Sequence, residues 1–130
     1  MTTKKRRPTH HTQWAAQFAV ASELCKRDYQ VALTLGNHPA ADLMAISPKG
    51  VPFSVDVKGL RSPTTWFVRR KPVTKNLFYV LACVPPGEPN QFFVMSQATA
   101  NDLIRGDTAA SDIRWKDGLA HRDKWDVLPD

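Results

Sequence analysis

The chain has 130 residues, enough for one domain that buries roughly two-thirds of the surface its unfolded form exposes. Hydrophobic residues make up 42% and charged residues 23%, which argues against a disordered or fibrous protein. The longest apolar run, residues 77–84, is far shorter than the roughly 20 residues that span a bilayer, so no membrane segment is expected. Two isolated cysteines, Cys25 and Cys83, and the lack of a secretory signal predict a cytoplasmic protein with reduced thiols.

The positive charge is concentrated in one half of the sequence. The net charge is +6, but residues 1–75 hold 13 Lys/Arg against 4 Asp/Glu, whereas residues 76–130 hold 5 against 8. A basic half favours a polyanionic partner, most often nucleic acid. A basic surface kept for solubility would have the same composition, so charge alone does not decide between the two.

The N-terminal region predicts a tail followed by a helix. Residues 1–11, with four consecutive basic residues, are expected to form a flexible basic arm, and the folded domain is expected to span 12–130. Thr12 is a suitable N-cap for the helix. The buried stripe of the helix is predicted from four residues that recur at spacings of four, three and four: Trp14, Phe18, Ala21 and Cys25. On this wheel Gln17 lies beside the stripe and Glu23 points to solvent.

The rest of the chain reads mainly as strands. We predict strands over residues 29–35, 41–46, 51–58, 66–68, 77–84 and 91–95, then a short helix capped by Ser96 and ending near Ile104. Residues 113–128 lack a clear period and are not assigned. In the third strand Asp56 and Lys58 share one face, because alternate residues of a strand point the same way. The order of elements predicts an α/β or α+β fold around one mixed sheet.

Three charged side chains stand out against their surroundings. Asp42 begins an apolar strand, and a tight turn separates it from the face that carries Asp56 and Lys58. Two carboxylates brought together repel each other and raise each other's pKa unless a cation lies between them. Two carboxylates with water are a common way to hold Mg²⁺, which activates water for attack on phosphodiesters. The alternative is that Asp56 and Lys58 form an exposed ion pair of little energetic weight.

Asp42, followed after a hairpin by Asp56-Val57-Lys58, resembles the bipartite motif of the PD-(D/E)xK nuclease superfamily. The preceding helix and the segment Tyr29-Gln30-Val31 extend the resemblance. The arrangement of these elements is similar to that of archaeal Holliday junction resolvases and of small uncharacterised members of the superfamily. The resemblance covers roughly residues 13–58. It implies a restriction-endonuclease-like fold, in which helices flank a mixed central sheet in a single domain.

The resemblance also implies a site and an activity. Asp42, Asp56 and Val57 would bind Mg²⁺, or Mn²⁺ in its place, and Lys58 would assist the attacking water during DNA cleavage. Gln17 occupies the position at which many members carry a metal-binding Glu, and Ala41 replaces the proline of the motif. Because Gln17 brings no charge, a non-catalytic DNA-binding module that retains the fold is the alternative function. A protein-binding regulatory subunit is a third, more general alternative.

A basic cluster follows the motif. We predict that it contacts the DNA backbone: Arg61, Arg69, Arg70 and Lys71. A solvated loop is the alternative for this cluster. Trp66 could stack on a base, but core packing is the favoured interpretation. The expected partner is DNA, including branched or structured DNA, and a homodimer is expected because symmetric cutting of two strands needs two sites.

Overall fold

The computed structural model describes residues 9–36 and 41–130. In chain order the elements are α1 (Thr9–Lys26), β1 (Gln30–Leu33), β2 (Leu43–Ile46), β3 (Pro52–Leu60), β4 (Thr65–Phe67), β5 (Leu77–Cys83), β6 (Gln91–Ser96), α2 (Gln97–Leu103), β7 (Asp112–Arg114) and α3 (Trp115–Gly118). Two short 3-10 turns follow, Leu119–His121 and Trp125–Val127. In the described part of the chain, no helix has the length and apolar character needed to cross a bilayer.

A five-stranded sheet organises the domain. Its strand order is β1-β2-β3-β5-β6, with β3 and β5 parallel and every other neighbouring pair antiparallel. Strands β4 and β7 form a separate two-stranded sheet. The predicted single-domain α+β architecture, a mixed central sheet with flanking helices, is confirmed.

Each face of the sheet carries its own core. Along β5 the buried side chains alternate between two clusters, so that Val80 packs with α1 and Tyr79 packs on the opposite face. The cluster beneath α1 includes Val20 and Leu24. The cluster on the opposite face includes Trp66, whose indole Nε1 donates to the Ala82 carbonyl at 3.0 Å. Trp66 is therefore a core residue, as the sequence analysis favoured.

Helix α1 differs from its prediction at both its start and its buried face. It begins at Thr9, so residues 9–11 belong to the helix and not to an arm; residues 1–8 lie outside the described residues. Its buried side is formed by small and medium side chains, Ala16, Val20 and Leu24. Phe18, predicted to be buried, is 54% exposed and stacks on Trp14. The helix turns its smaller side to the sheet because that side allows a closer approach.

A glycine in β3 sets that close approach. A Cβ atom added at Gly59 would lie 2.6 Å from Ala16 Cβ and 3.1 Å from the Thr12 carbonyl oxygen. No larger residue fits without moving α1 away from the sheet. The contact holds the first half of α1 against the end of β3 that bears Asp56 and Lys58.

We therefore expect Gly59→Ala to destabilise the protein by about 1–3 kcal/mol, the usual cost of overpacking a core. Thermal melting of the variant measures this loss. The double variant Gly59→Ala with Ala16→Gly removes the contact with Ala16 Cβ but keeps the one with the Thr12 carbonyl, so it should recover part of the stability, less about 1 kcal/mol for glycine inside a helix. Equal stability of Gly59→Ala and the wild type would contradict the contact.

The six predicted strands are all present, and most of their ends are shifted by one or two residues. Ser96 caps α2 as predicted, since its hydroxyl accepts from the Thr99 backbone N–H at 3.2 Å. The unassigned C-terminal segment contributes β7, whose Ile113 pairs with Trp66 of β4. This three-residue strand depends on a partner 47 residues away in sequence, so local periodicity carries no sign of it.

Candidate active site

Of the two acidic residues predicted to act together, Asp56 lies on β3 and Asp42 immediately precedes β2. Leu43, the first residue of β2, pairs with Val55 of β3. The Asp42 backbone N–H donates to the Val55 carbonyl at 2.9 Å, so Asp42 is held beside the same residue. The charge of Asp42 contributes to raising the pKa of Asp56, as two neighbouring carboxylates do. Asp42 therefore lies near enough for its charge to act on Asp56, but it does not line the pocket that opens at Asp56.

The Asp42 carboxylate forms hydrogen bonds with both β3 and α1. Strand β3 continues to Leu60, whereas β2 begins only at Leu43, which leaves an edge of β3 without a partner strand. At this edge Asp42 Oδ2 accepts from the Val57 backbone N–H at 2.7 Å. Asp42 Oδ1 accepts from the Gln17 side-chain amide at 3.3 Å. Gln17, predicted to complete the site, thus contacts Asp42 directly and is buried.

Gln13 is a residue of this region that the sequence analysis missed. Its Nε2 donates to the Val57 carbonyl at 2.6 Å, and its Oε1 accepts from the Gly59 backbone N–H at 3.1 Å. The side-chain amide therefore pairs with β3 as the peptide group of an adjacent strand would. The available signal was its position four residues before Gln17, on the same side of the helix.

Asp56 is the buried charge of the group. Its residue is 5% exposed, and no donor in the described residues makes a hydrogen bond to its Oδ1. Lys58 Nζ lies 3.2 Å from that oxygen, close enough for an ion pair although the angles do not form a hydrogen bond. Burial raises the pKa of Asp56; Lys58 opposes this shift and Asp42 adds to it. A buried acceptor with only one cation beside it is a costly arrangement.

A pocket of about 260 Å³ opens beside Asp56 and Lys58. Its other lining side chains include Arg69, Lys71 and Tyr79. Burial, and secondarily the Asp56 charge, raise the pKa of Tyr79 to about 12, so this phenol stays neutral at physiological pH. The pocket thus joins one buried carboxylate to three positively charged side chains.

Three residues of the predicted basic cluster, Arg69, Arg70 and Lys71, line one surface depression but differ in their other contacts. Arg69 and Lys71 lie at the pocket of Asp56. Arg61 lies at a separate depression near the start of α1. The Arg70 guanidinium binds the end of α2 and the segment after it: it donates to the carbonyls of Asn101, Ile104 and Gly106 and to the Asp107 carboxylate. These bonds hold the Arg70 guanidinium within the fold.

The residues around Asp56 offer a donor set of oxygen atoms. Among the described residues no three His, Cys, Asp or Glu side chains cluster closely enough to hold a metal by themselves. Two carboxylates remain, with the Val57 carbonyl beside them, and one lone pair of that carbonyl is taken by Gln13. Carboxylate and carbonyl oxygens suit a hard cation such as Mg²⁺, which retains several waters. Asp56 Oδ1 is buried, accepts no hydrogen bond and already attracts the Lys58 ammonium group at 3.2 Å, so it fits a cation.

Comparisons with known proteins bear on the fold. No family model matches the chain, and no curated protein matches it. A search of solved structures finds the bacterial homing endonuclease I-Ssp6803I with a TM-score of 0.68. The similarity covers 94% of this chain and 91% of that one at 20% sequence identity. The chain therefore has the fold of a known endonuclease.

Proposed function

We propose that the protein is a metal-dependent endonuclease that hydrolyses DNA phosphodiester bonds. The observation that carries the proposal is Asp56, a buried carboxylate with a raised pKa whose Oδ1 forms an ion pair with Lys58 but no hydrogen bond. Such an arrangement destabilises the fold and is retained where a site requires it. The likeness of the fold to that of a homing endonuclease supports the proposal.

Asp42 and Asp56 would bind Mg²⁺ or Mn²⁺, with the Val57 carbonyl as a further ligand. A divalent cation held there supplies charge neutralisation at the phosphoryl group and makes a bound water more acidic. Gln17 holds Asp42 Oδ1 and Gln13 holds the Val57 carbonyl, so α1 fixes the positions of both oxygens. Fixed ligands of this kind reduce the reorganisation that the reaction would otherwise require.

Lys58 is the residue we assign to the attacking water. Its ammonium group lies beside Asp56 and is about one-third exposed, so it reaches both the carboxylate and the pocket. Hydrolysis forms a bond from the water oxygen to phosphorus and breaks one phosphorus–oxygen ester bond. The products are a phosphate monoester and a free hydroxyl, and the proton of the water passes to solvent or to the leaving oxygen. Lys58 orients the water and stabilises the charge that develops.

Arg69 and Lys71 are assigned to binding of the DNA backbone. Both line the pocket of Asp56, and phosphate contacts of this kind position a nucleic acid without reading its sequence. Arg61, at a separate depression, would contact a more distant phosphate. Duplex or branched DNA fits this description equally well. Cutting both strands at once would require two copies of the chain, so a homodimer on DNA is part of the proposal.

A non-catalytic DNA-binding module is the second candidate, and Gln17 favours it. This side chain is neutral and donates its amide hydrogen to Asp42, so it adds no negative charge to the cation site. A site with two carboxylates holds a divalent cation less tightly than one with three.

The experiment that separates the two candidates is nicking of supercoiled plasmid in Mg²⁺ or Mn²⁺, with EDTA as a control. The endonuclease predicts nicking that requires the metal and is lost in Asp42→Ala. Gln17→Glu should lower the metal concentration needed for half-maximal nicking, because it adds a third carboxylate. Plasmid that stays intact with both the wild type and Gln17→Glu, together with salt-sensitive DNA binding that survives EDTA, would favour the binding module.

A further inference from the structure

We propose that Phe67 is a stacking platform for an unpaired DNA base at the mouth of the Asp56 pocket. The inference rests on the proposed function and adds a feature of the substrate: a nucleotide beside the cleaved bond that is free of its base pair.

Phe67 presents a large aromatic ring to solvent. It is 66% exposed, whereas its neighbours Trp66 and Val68 are buried in the core on the opposite side of the strand. Exposing so much apolar area costs free energy, at roughly 25 cal/mol per Å². The packing of β4 against β7 therefore does not explain why an aromatic residue occupies this position.

Cationic residues line the same pocket as Phe67. Phe67, Arg69 and Lys71, a row of alternate residues in the chain, all line the pocket that contains Asp56 and Lys58, and Val68 lines it as well. Ala109 lies on the same pocket and is small. The row therefore combines an aromatic face with two cations, at one opening of the pocket assigned to the chemistry.

This combination matches single-stranded nucleic acid better than other partners. Proteins that bind unpaired strands place cations along the backbone and aromatic rings against the bases. In continuous duplex the bases are already stacked and present no face to a ring. A purely apolar protein partner would not call for two cations in the same row. The geometry thus points to a single-stranded, gapped or branched region of DNA.

The test is fluorescence anisotropy with two labelled probes, a 20-nucleotide oligothymidine strand and a 20-base-pair duplex, in EDTA so that cleavage does not interfere. Phe67→Ala should weaken binding of the single strand about 5- to 150-fold, the usual range for one stacking contact. Binding of the duplex should change less than twofold. Phe67→Trp should restore strand binding, and its added indole fluorescence should be quenched by the oligothymidine beyond the quenching seen in the wild type.

Phe18→Ala is the matched control. Phe18 is also an exposed aromatic residue, but it lies on the outer side of α1 and does not line this pocket. Its replacement should leave binding of both probes unchanged, and thermal melting should show that both alanine variants are folded.

Three results would overturn the inference. Phe67→Ala could bind the single strand as tightly as the wild type, or Phe67→Trp could fail to restore binding. Sedimentation could show that Phe67→Ala changes the oligomeric state, which would make Phe67 a protein contact. If the wild type nicks plasmid while any of these holds, only the stacking role fails. If the wild type neither binds nor cleaves DNA, the proposed function fails with it.

Discussion

Asp56→Asn should abolish cleavage and at the same time make the protein more stable at neutral pH. The carboxylate is buried and its pKa is raised, so the fold at pH 7 contains an ionised group that it disfavours. Asparagine keeps the shape and removes the charge. In EDTA we expect the Tm to rise by about 2–5 °C, where about 4 °C corresponds to 1 kcal/mol for a chain of this size. Nicking should fall below detection.

The gain in stability has a defined pH dependence. Because the folded-state pKa of Asp56 lies above its unfolded value, the protonated group favours folding below the unfolded pKa of about 4. This contribution is lost as the pH rises through the folded-state pKa. The difference in Tm between Asp56→Asn and the wild type should therefore be small at pH 3–4 and grow towards pH 7, as measured by melting across that range.

Asp112→Asn is the matched control, because the pKa of Asp112 is shifted in the opposite direction to that of Asp56. Hydrogen bonds from Arg105 and Thr65 lower the pKa of Asp112, so its ionised form favours the fold. This contribution is present above the unfolded pKa and is lost as the pH falls through the folded-state pKa. Asp112→Asn should lower the Tm at neutral pH. If Asp56→Asn also lowered it, Asp56 would be a stabilising ion pair and the functional interpretation would lose its basis.

Lys58→Met should reduce the rate of cleavage by about 10²–10³-fold while DNA binding changes little, the scale observed when one group that stabilises developing charge is removed. Methionine retains the length of the side chain. Without Lys58 the nearest cation to Asp56 is gone, so the pKa of Asp56 should rise further. The acidic limb of the pH–rate profile should therefore move to higher pH, which single-turnover cleavage across pH 5–9 measures.

Lys71→Met and Lys75→Met provide the comparison. Lys71 lines the same pocket and is assigned to phosphate, so its loss should weaken DNA binding with little change in the rate at saturating DNA. Lys75 is exposed and does not line that pocket, and its loss should alter neither quantity appreciably. A Lys58→Met protein that cleaves at the wild-type rate would exclude an auxiliary role for Lys58 in the reaction.

Local patterns predicted most of the sheet because its strands alternate strongly and its turns contain proline and glycine. The hairpin itself was also predicted from its turn residues, and the pairing of Leu43 with Val55 confirms it. The two strands of the hairpin are close together in the sequence, so the prediction required no knowledge of contacts between distant segments. A metal site shared by Asp42 and Asp56 stays a prediction.

The parts that could not be predicted depend on contacts between distant segments. The buried face of α1 depends on the close approach of Ala16 to Gly59. A helical wheel describes one helix alone and does not represent this contact with a distant strand. Gln17 nevertheless lies at the site because it borders both the predicted and the observed buried faces. Gln13 appears ordinary in the sequence, and its pairing with Val57 and Gly59 exists only because β3 extends beyond β2.

The basic cluster shows a similar limit. Composition identifies Arg69, Arg70 and Lys71 as one group of cations, and all three line one surface depression. Arg70 binds backbone carbonyls at and beyond the end of α2, whereas Arg69 and Lys71 also line the pocket of Asp56. A count of charges does not distinguish these roles, because the difference lies in the partner segment around Gly106.

The most direct measurement for the whole account is a crystal of the protein soaked in Mn²⁺, with anomalous diffraction recorded at the manganese edge. We expect a peak between the carboxylates of Asp42 and Asp56, within about 2.5 Å of an oxygen from each, as oxygen-ligated divalent cations require. The same soak of Asp56→Asn should show a much weaker peak. A wild-type crystal whose only manganese lies elsewhere, with Lys58 still paired to Asp56, would contradict the account.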